Sequence, residues 1–411
     1  MTPSHTDLAI IGAGPYGLSL AAHLKHRGVD FRIFGSPMRF WLDMAPGISL
    51  KSFDFATNIY TPAKGYRFVE YCRDRNIDSH EPCSMALFSE YGLWAQHELV
   101  PEVEDVQVTH VARHGDGFRL TLATGEEVDA RRVVSAVGLA NFPRVPNELQ
   151  IGSSHISHTS QIHDYERFRG MDVTVVGGGQ SALEAAGLVT VHGGTARVLV
   201  RNTGGWFSGK LPEKRSLRER LGNPLTPLGP GRLNWVLANL PWLARHLPDD
   251  KRIRLTRKHL GPFGTWWVRD QIGDAVPIEM KMRVLSAVDL GDQVSLSVSG
   301  PDGDREIVTD HVIAGTGYEV DVDRIPFLDP ELCSAITRIE RAPRLSRSFE
   351  SSVPGLYFIG PSAAFSFGPL LRFACGADFA APRLSKHLAR GSRKRSSAPV
   401  RTTEPARQPT P

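Results

Sequence analysis

Short apolar runs that end in glycine alternate along this chain with segments whose apolar positions recur at helical spacing. Leu8 to Ile11 is such a run. It is followed by Leu18, Leu20, Ala21 and Leu24 between Tyr16 and Lys25, then by Phe31 to Phe34 after a turn at Gly28. This order predicts a strand, a helix and a second strand. The same order returns at Val173 to Val176 and ends on the strand Ala196 to Val200. Between the two units, Val106 to Val111, Phe118 to Leu122 and Glu127 to Val128 are separated by Gly115-Asp116-Gly117 and Thr124-Gly125, the turn chemistry of a meander. The meander leads into a buried strand, Val133 to Val137, closed by Gly138. A second small meander spans Val284 to Val298. The chain then runs through Val312 to Gly317, the apolar strand Gly355 to Gly360 and a helix after Gly376. The pattern predicts an α/β protein whose chain enters one nucleotide-type unit, leaves it for an inserted second one, and comes back.

The first strand of each unit runs into a glycine-rich loop. These loops are Gly12-Ala13-Gly14-Pro15-Tyr16-Gly17 and Gly177-Gly178-Gly179-Gln180-Ser181-Ala182. Small residues let the backbone approach a pyrophosphate, and the helix that follows offers N–H donors and the positive end of its dipole. Two such loops in one chain point to two dinucleotides held side by side, the arrangement in which a flavin takes hydride from a nicotinamide. The first unit departs from the fingerprint at Gly35, where a ribose-binding Asp or Glu is expected at the end of the second strand. In the second unit, Arg201 stands at the equivalent place, suited to a 2′-phosphate and so to NADPH; an arginine that merely ends an edge strand is the alternative. Lys210, Lys214 and Arg215 follow in the same region, as further phosphate contacts or as a solvated charge run.

Composition narrows the picture. At 411 residues, with 41% hydrophobic residues, the chain can bury a large core and is expected to form two interlocked domains. Much of its small formal charge of +4 sits in the segment 389–411, where basic residues are interleaved with Ser, Thr and Pro. That segment is expected to be a disordered, solvated tail and not a nucleic-acid or lipid arm. Cys72, Cys83, Cys333 and Cys375 are widely spaced, without a Cys-x-x-Cys, which excludes the close dithiol of disulfide reductases and suits a reducing compartment. No secretory pattern or bilayer-length apolar run is present, so a cytoplasmic protein without a membrane or nucleic-acid partner is expected. His155, His158 and His163 lack the cysteines or grouped carboxylates of a metal site, and no Gly-x-Ser-x-Gly elbow suggests a hydrolase.

One further stretch, Asp310-His311-Val312-Ile313-Ala314-Gly315-Thr316-Gly317-Tyr318, resembles the Asp to Ala-Thr-Gly-Tyr motif of the lysine and ornithine N-hydroxylases, with Gly315 in place of the alanine. With both phosphate loops and the C-terminal return, the likeness spans roughly residues 7 to 388. It places the chain near the two-dinucleotide (class B type) flavoprotein monooxygenases. The fingerprint ahead of the second loop keeps His158 but has Ser154 and Ile162 where flavin-containing and Baeyer-Villiger enzymes carry glycine and an aromatic.

The resemblance implies an FAD-binding Rossmann-like domain (7–150 and 316–388) with an inserted NADP-binding Rossmann-like domain (151–315) carrying a helical insert. FAD is expected on Gly12, Gly14, Gly17, Trp41, Gly360 and Leu371, and NADPH on Gly177, Gly179, Gln180, Ser181, Arg201 and Thr316. Lys51 matches a lysine of the N-hydroxylases, and Asn58 an asparagine that faces the reacting oxygen in flavin-containing monooxygenases; a surface lysine and a loop-capping asparagine are the alternative. The Trp-rich, Pro-rich insert from Gly204 to Gly273 is expected to place a pair of helices over the substrate side of the nicotinamide domain. The implied activity is transfer of one oxygen of O2 to a small amine or other heteroatom nucleophile by way of a flavin C4a-hydroperoxide. Two alternatives stand beside it: an FAD/NADPH oxidoreductase or oxidase without oxygen insertion, and a non-catalytic nucleotide-binding redox sensor.

Overall fold

The structure, a computed structural model, describes residues 3–79, 82–202, 207–212 and 215–396, with side chains to residue 390. In chain order the first unit contains β1 (Ser4–Ile11), α1 (Pro15–His26), β2 (Arg32–Phe34), α2 (Met85–Leu99) and the strands β3 (Val108–His114), β4 (Gly117–Leu122) and β5 (Glu127–Ser135). The second contains β6 (Ile156–His158), β7 (Asp172–Val176), α3 (Gln180–Val191) and β8 (Thr195–Val200). An insert follows with α4 (Arg232–Asn239), α5 (Asp249–Lys258) and α6 (Trp266–Ile272). The second unit then adds β9 (Ile278–Met280), the meander β10 (Arg283–Asp289), β11 (Val294–Gly300), β12 (Gly303–Thr309), and β13 (His311–Ala314). The return to the first unit supplies β14 (Leu356–Phe358) and α7 (Ala377–Ser396).

The first sheet runs β2-β1-β5-β4-β3, with β14 also paired to β5. Besides β1, which runs parallel along one side, β5 serves two partners on the other: its first half pairs antiparallel with β4 and its last residues pair parallel with β14, through Leu356↔Val133 and Phe358↔Ser135. The two apolar runs read separately in the sequence are thus one strand. The polar residues between them are accommodated because Asp129 pairs with Arg119 at 2.8 Å, and Arg131 and Arg132 both pair with Asp7. Behind the sheet, α1 buries Leu18, Leu20, Ala21 and Leu24 and packs against α7. Each such side chain removed from water contributes about 1.5–3 kcal/mol. α7 continues to Ser396, into the segment expected to be disordered; residues 397–411 of that segment lie outside the described residues.

The second sheet, β9-β8-β7-β13-β6, is parallel throughout, and its own core packs Val173, Val175 and Val198 against Leu183, Ala186 and Val189 of α3. The meander β10-β11-β12 covers its other face, where Leu296 and Val298 join Leu199 and Val312 of the sheet in one core. The insert departs from expectation. Instead of capping only the nicotinamide-type unit, it is tied to the C-terminal return: Arg252 donates to Phe365 O at 2.6 Å, and Arg372 donates to Thr256 O at 2.8 Å and His259 O at 3.1 Å. A strap from the first unit crosses the other way, since Ala45 and Ile48 pack in the core of the second. Gly47 lies so close to α3 that a Cβ would meet the Leu188 side chain at 2.6 Å.

Candidate active site

Strap and insert enclose a cavity of about 1280 Å³ between the two sheets, lined from one side by Gly12, Gly14 and Trp41 and from the other by Ser181 and Glu184. Both phosphate loops therefore open on one space.

The glycines of the first loop divide their work. Gly12, at φ +113°, and Gly17 are needed for backbone packing: a Cβ on Gly12 would lie 2.5 Å from Ala136 O, and one on Gly17 only 1.9 Å from Gly12 O. Gly14, the extended N-cap of α1, has no heavy atom within 4 Å of a would-be Cβ, so its open side faces the cavity. The loop thus offers helix N–H groups beside unfilled space, as a pyrophosphate requires. Trp41 also lines the cavity and is held edge-on by Phe88 at 5.0 Å. At Gly35 the missing acid is replaced by surroundings not foreseen in the sequence. Ser36, Arg39 and Gln107 line the cavity there, and the Gln107 amide reaches Ser36 Oγ at 3.5 Å.

The second loop is tighter still. Gly177 has φ +144° and a Cβ would meet Gly315 O at 2.3 Å, while a Cβ on Gly315 would meet the Ala182 Cβ at 2.4 Å. This explains why glycine stands at 315, where the N-hydroxylase motif has alanine. Gly179 caps α3, Ser181 lines the cavity, and Gln180 is turned to a bridging role described below. Arg201 follows β8 directly, is exposed, and forms no hydrogen bond or ion pair among the described residues. Of the nearby cations, Lys210 lines the cavity over the ring of Trp266 and Arg215 caps Asn223 O, while Lys214 lies outside the described residues.

Several expected site residues do other work. Asn58 does not line the cavity: its amide donates to Phe55 O at 2.8 Å and its Oδ1 accepts from Phe68 N at 2.9 Å. Both ends meet backbone, so it pins a turn. Thr316 donates to Arg144 O, and Leu371 is a core residue whose carbonyl accepts from Tyr16 Oη at 3.1 Å. Gly360, at φ +76°, packs against the Tyr16 ring and leaves the cavity wall to Pro361. The wall beyond Leu371 is formed by Arg372 and Phe373. The three histidines have separate partners: His155 meets Asp310 O at 3.1 Å, His158 meets Gly317 O at 3.0 Å, and His163 meets Asp43 O at 2.5 Å.

Lys51 does reach the cavity. Its Nζ donates to Phe263 O at 2.8 Å and lies over the Phe263 ring. Burial pushes its pKa down to about 7, with Glu184 opposing that shift and Arg372 adding to it. Glu184, buried at 3% exposure on α3, was not singled out in the sequence. Burial raises its carboxyl to about 7 against the opposing hydrogen bonds from Gln180 and Ser49 N and the charge of Lys51. Phe53, Phe263, Trp266 and Trp267 supply aromatic walls.

The sequence profile of the pyridine nucleotide-disulphide oxidoreductases matches residues 9–225, more than half of the chain. The chain belongs to that family. Its four cysteines are buried and free, none lies in a Cys-x-x-Cys, and of the four only Cys375 lines the cavity. Within the family's relatives, the chain is similar to a ferredoxin–NADP reductase of Thermus thermophilus, 30% identical over 191 residues, which is 45% of this chain and 50% of that protein. A probable indole-3-pyruvate monooxygenase of Arabidopsis thaliana, YUCCA7, is 27% identical over 357 residues, 76% of this chain and 74% of that protein. The chain spans about half the length of the ferredoxin–NADP reductases it matches. In fold it is similar to an ornithine N-hydroxylase of Kutzneria sp. 744, with a TM-score of 0.74 at 19% identity over 95% of this chain and 100% of that one. Among the described residues no helix is long and apolar enough to cross a membrane.

Proposed function

We propose that this chain is an FAD-dependent, NADPH-consuming monooxygenase acting on a small amine or other nucleophilic substrate. The observation that carries the reading is the single cavity onto which both phosphate loops open, roofed by the insert and free of any dithiol. The residues fit the two nucleotides. Gly14 leaves room for one pyrophosphate at the start of α1, Gly177 and Gly179 shape the second loop, and the Arg201 guanidinium is uncommitted among the described residues. FAD supplies hydride acceptance and oxygen activation when bound.

The protein's own part is to bind, orient and exclude water. The insert closes the cavity with Phe263, Trp266 and Trp267, and Arg372 and Arg252 tie it to the return segment. A dry space strengthens every polar contact within it. Lys51, titrating near neutral pH, can present either a charged donor or a neutral amine to a substrate's polar end. This agrees with the amines on which two proteins of similar fold act, an ornithine N-hydroxylase and a cadaverine monooxygenase.

A second reading is electron transfer to a carrier without oxygen insertion, favoured by the similarity to ferredoxin–NADP reductase. The two separate on one experiment: NADPH oxidation is followed with a panel of amines and 2-oxo acids under O2, and products are analysed. Oxygenated product in step with NADPH supports the proposal. NADPH consumption matched only by peroxide or by a reduced carrier favours the second reading.

A further inference from the structure

The strap that carries Lys51 is fastened to α3 by a hydrogen bond from its backbone. Ser49 N donates to Glu184 Oε1 at 3.2 Å, and the Gln180 amide donates to the same oxygen at 2.9 Å. Gln180 Oε1 in turn accepts from Thr265 N at 3.0 Å and Thr265 Oγ1 at 3.1 Å, and Lys51 donates to Phe263 O two residues away. Glu184 and Gln180 together therefore join three parts of the chain: the flavin-side strap, the helix behind the second phosphate loop, and the insert. We propose that Glu184 is a positioning residue, holding the strap against α3 and so fixing where Lys51 stands between the two nucleotide sites.

The geometry favours this over a packing role alone. A buried carboxyl is costly unless it is hydrogen-bonded, and here its partners come from two different units. Lys51 and Glu184 form no ion pair within 4 Å, yet both line the cavity, so their charges act on one another across the space a ligand would enter. The other ionisable groups near the pair are few. Tyr165 faces Glu184 with its phenol pushed upward by burial, and Arg372 faces Lys51 from the return segment. The remaining contacts are the uncharged Ser49 N–H and the Gln180 amide. Glu184 is the acidic neighbour that favours the protonated form of Lys51, so replacing it with a neutral side chain makes Lys51 easier to deprotonate.

The inference rests on the proposed nucleotide sites, but its test reads out without oxygen chemistry. In the flavin-loaded protein, selectively ¹³Cε-labelled lysine gives a resonance titrating near pH 7 that is assigned by its loss in Lys51→Met. In Glu184→Gln, which keeps size and hydrogen bonding, that midpoint falls by about one unit. Hydrogen exchange at the Ser49 amide gives the second arm: Glu184→Ala exchanges about fivefold faster, the worth of one hydrogen bond, and Glu184→Gln stays near wild type. An unmoved Lys51 midpoint in Glu184→Gln, or unchanged Ser49 exchange in Glu184→Ala, overturns the proposal. Failure of the monooxygenase reading would appear instead as absence of oxygenated product with both of these signals intact.

Discussion

Replacing Gly14 by valine separates binding from folding, because the structure gives this glycine no packing role. A Cβ at 14 meets nothing within 4 Å, whereas one at 17 would lie 1.9 Å from Gly12 O and one at 12 would lie 2.5 Å from Ala136 O. Gly14 also has an extended φ of −89°, which valine adopts without strain. The apoprotein of Gly14→Val should therefore unfold within about 0.5 kcal/mol of wild type, as for a substitution that touches no packed group. The valine methyls would occupy the space open to the pyrophosphate, and flavin affinity should fall by at least 100-fold. With FAD at 100 times the wild-type Kd, a 100-fold weaker affinity lowers the linkage from about 2.7 to about 0.4 kcal/mol, a loss of about 2.3 kcal/mol that is visible only when FAD is present. Gly17→Ala should behave in the opposite way, destabilising the apoprotein by about 1–3 kcal/mol or more through overpacking. Urea titrations with and without added FAD, together with flavin absorbance after gel filtration, distinguish the two. Full flavin occupancy in folded Gly14→Val would refute the assignment of this loop.

Arg201→Ala should raise the KM for NADPH at least tenfold and leave that for NADH nearly unchanged, since one charge-assisted phosphate contact is worth about 1.5–3 kcal/mol; steady-state kinetics with both nucleotides checks this, and equal losses would make Arg201 structural. Asn58→Ala should cost about 1–3 kcal/mol by leaving the buried Phe68 N–H without its acceptor, while the fraction of NADPH coupled to product stays as in wild type. A denaturant midpoint and a peroxide assay test both halves of that statement. The Lys51 and Glu184 pair should also mark the pH dependence of stability. Glu184, raised from 4.5 to about 7, contributes stability that is complete below 4.5 and lost as pH rises through 7. Lys51, lowered from 10.5 to about 7, contributes stability that is complete above 10.5 and lost as pH falls through 7. Wild type compared with the double variant Lys51→Met/Glu184→Gln should therefore be relatively least stable near pH 7, and a flat difference across pH 4 to 11 would contradict the burial of the pair.

The sequence spoke most clearly where local chemistry alone determines structure. Glycine after an apolar strand marked both phosphate loops, and hairpin turns marked the first meander. It was silent where pairing depends on distant partners. β6 and β9 are three-residue strands given meaning only by the neighbours they lengthen, and β12 is a mostly exposed edge whose Gly-Asp-Arg-Glu start reads as loop. α2 went unread although Ser84 caps it, accepting from Leu87 N at 3.1 Å, and Met85, Phe88, Tyr91 and Ala95 form its buried stripe. Within the site, the segment that carries Lys51 was legible and lies on the cavity wall. Asn58 could be read either way, because an amide that pins backbone and one that meets a ligand look alike in sequence. Glu184 was missed for the converse reason: an acid in the second turn of a helix reads as surface until the strap from residues 45–51 covers it.

The most direct test of the proposed activity uses ¹⁸O₂. The purified, flavin-loaded protein is supplied with NADPH, ¹⁸O₂ and the amine panel, and product, NADPH and peroxide are measured in the same reaction. The account predicts one ¹⁸O atom in an oxygenated product, formed in proportion to NADPH consumed. Consumption of NADPH with no label in any product, and peroxide or reduced carrier accounting for the electrons, would contradict it.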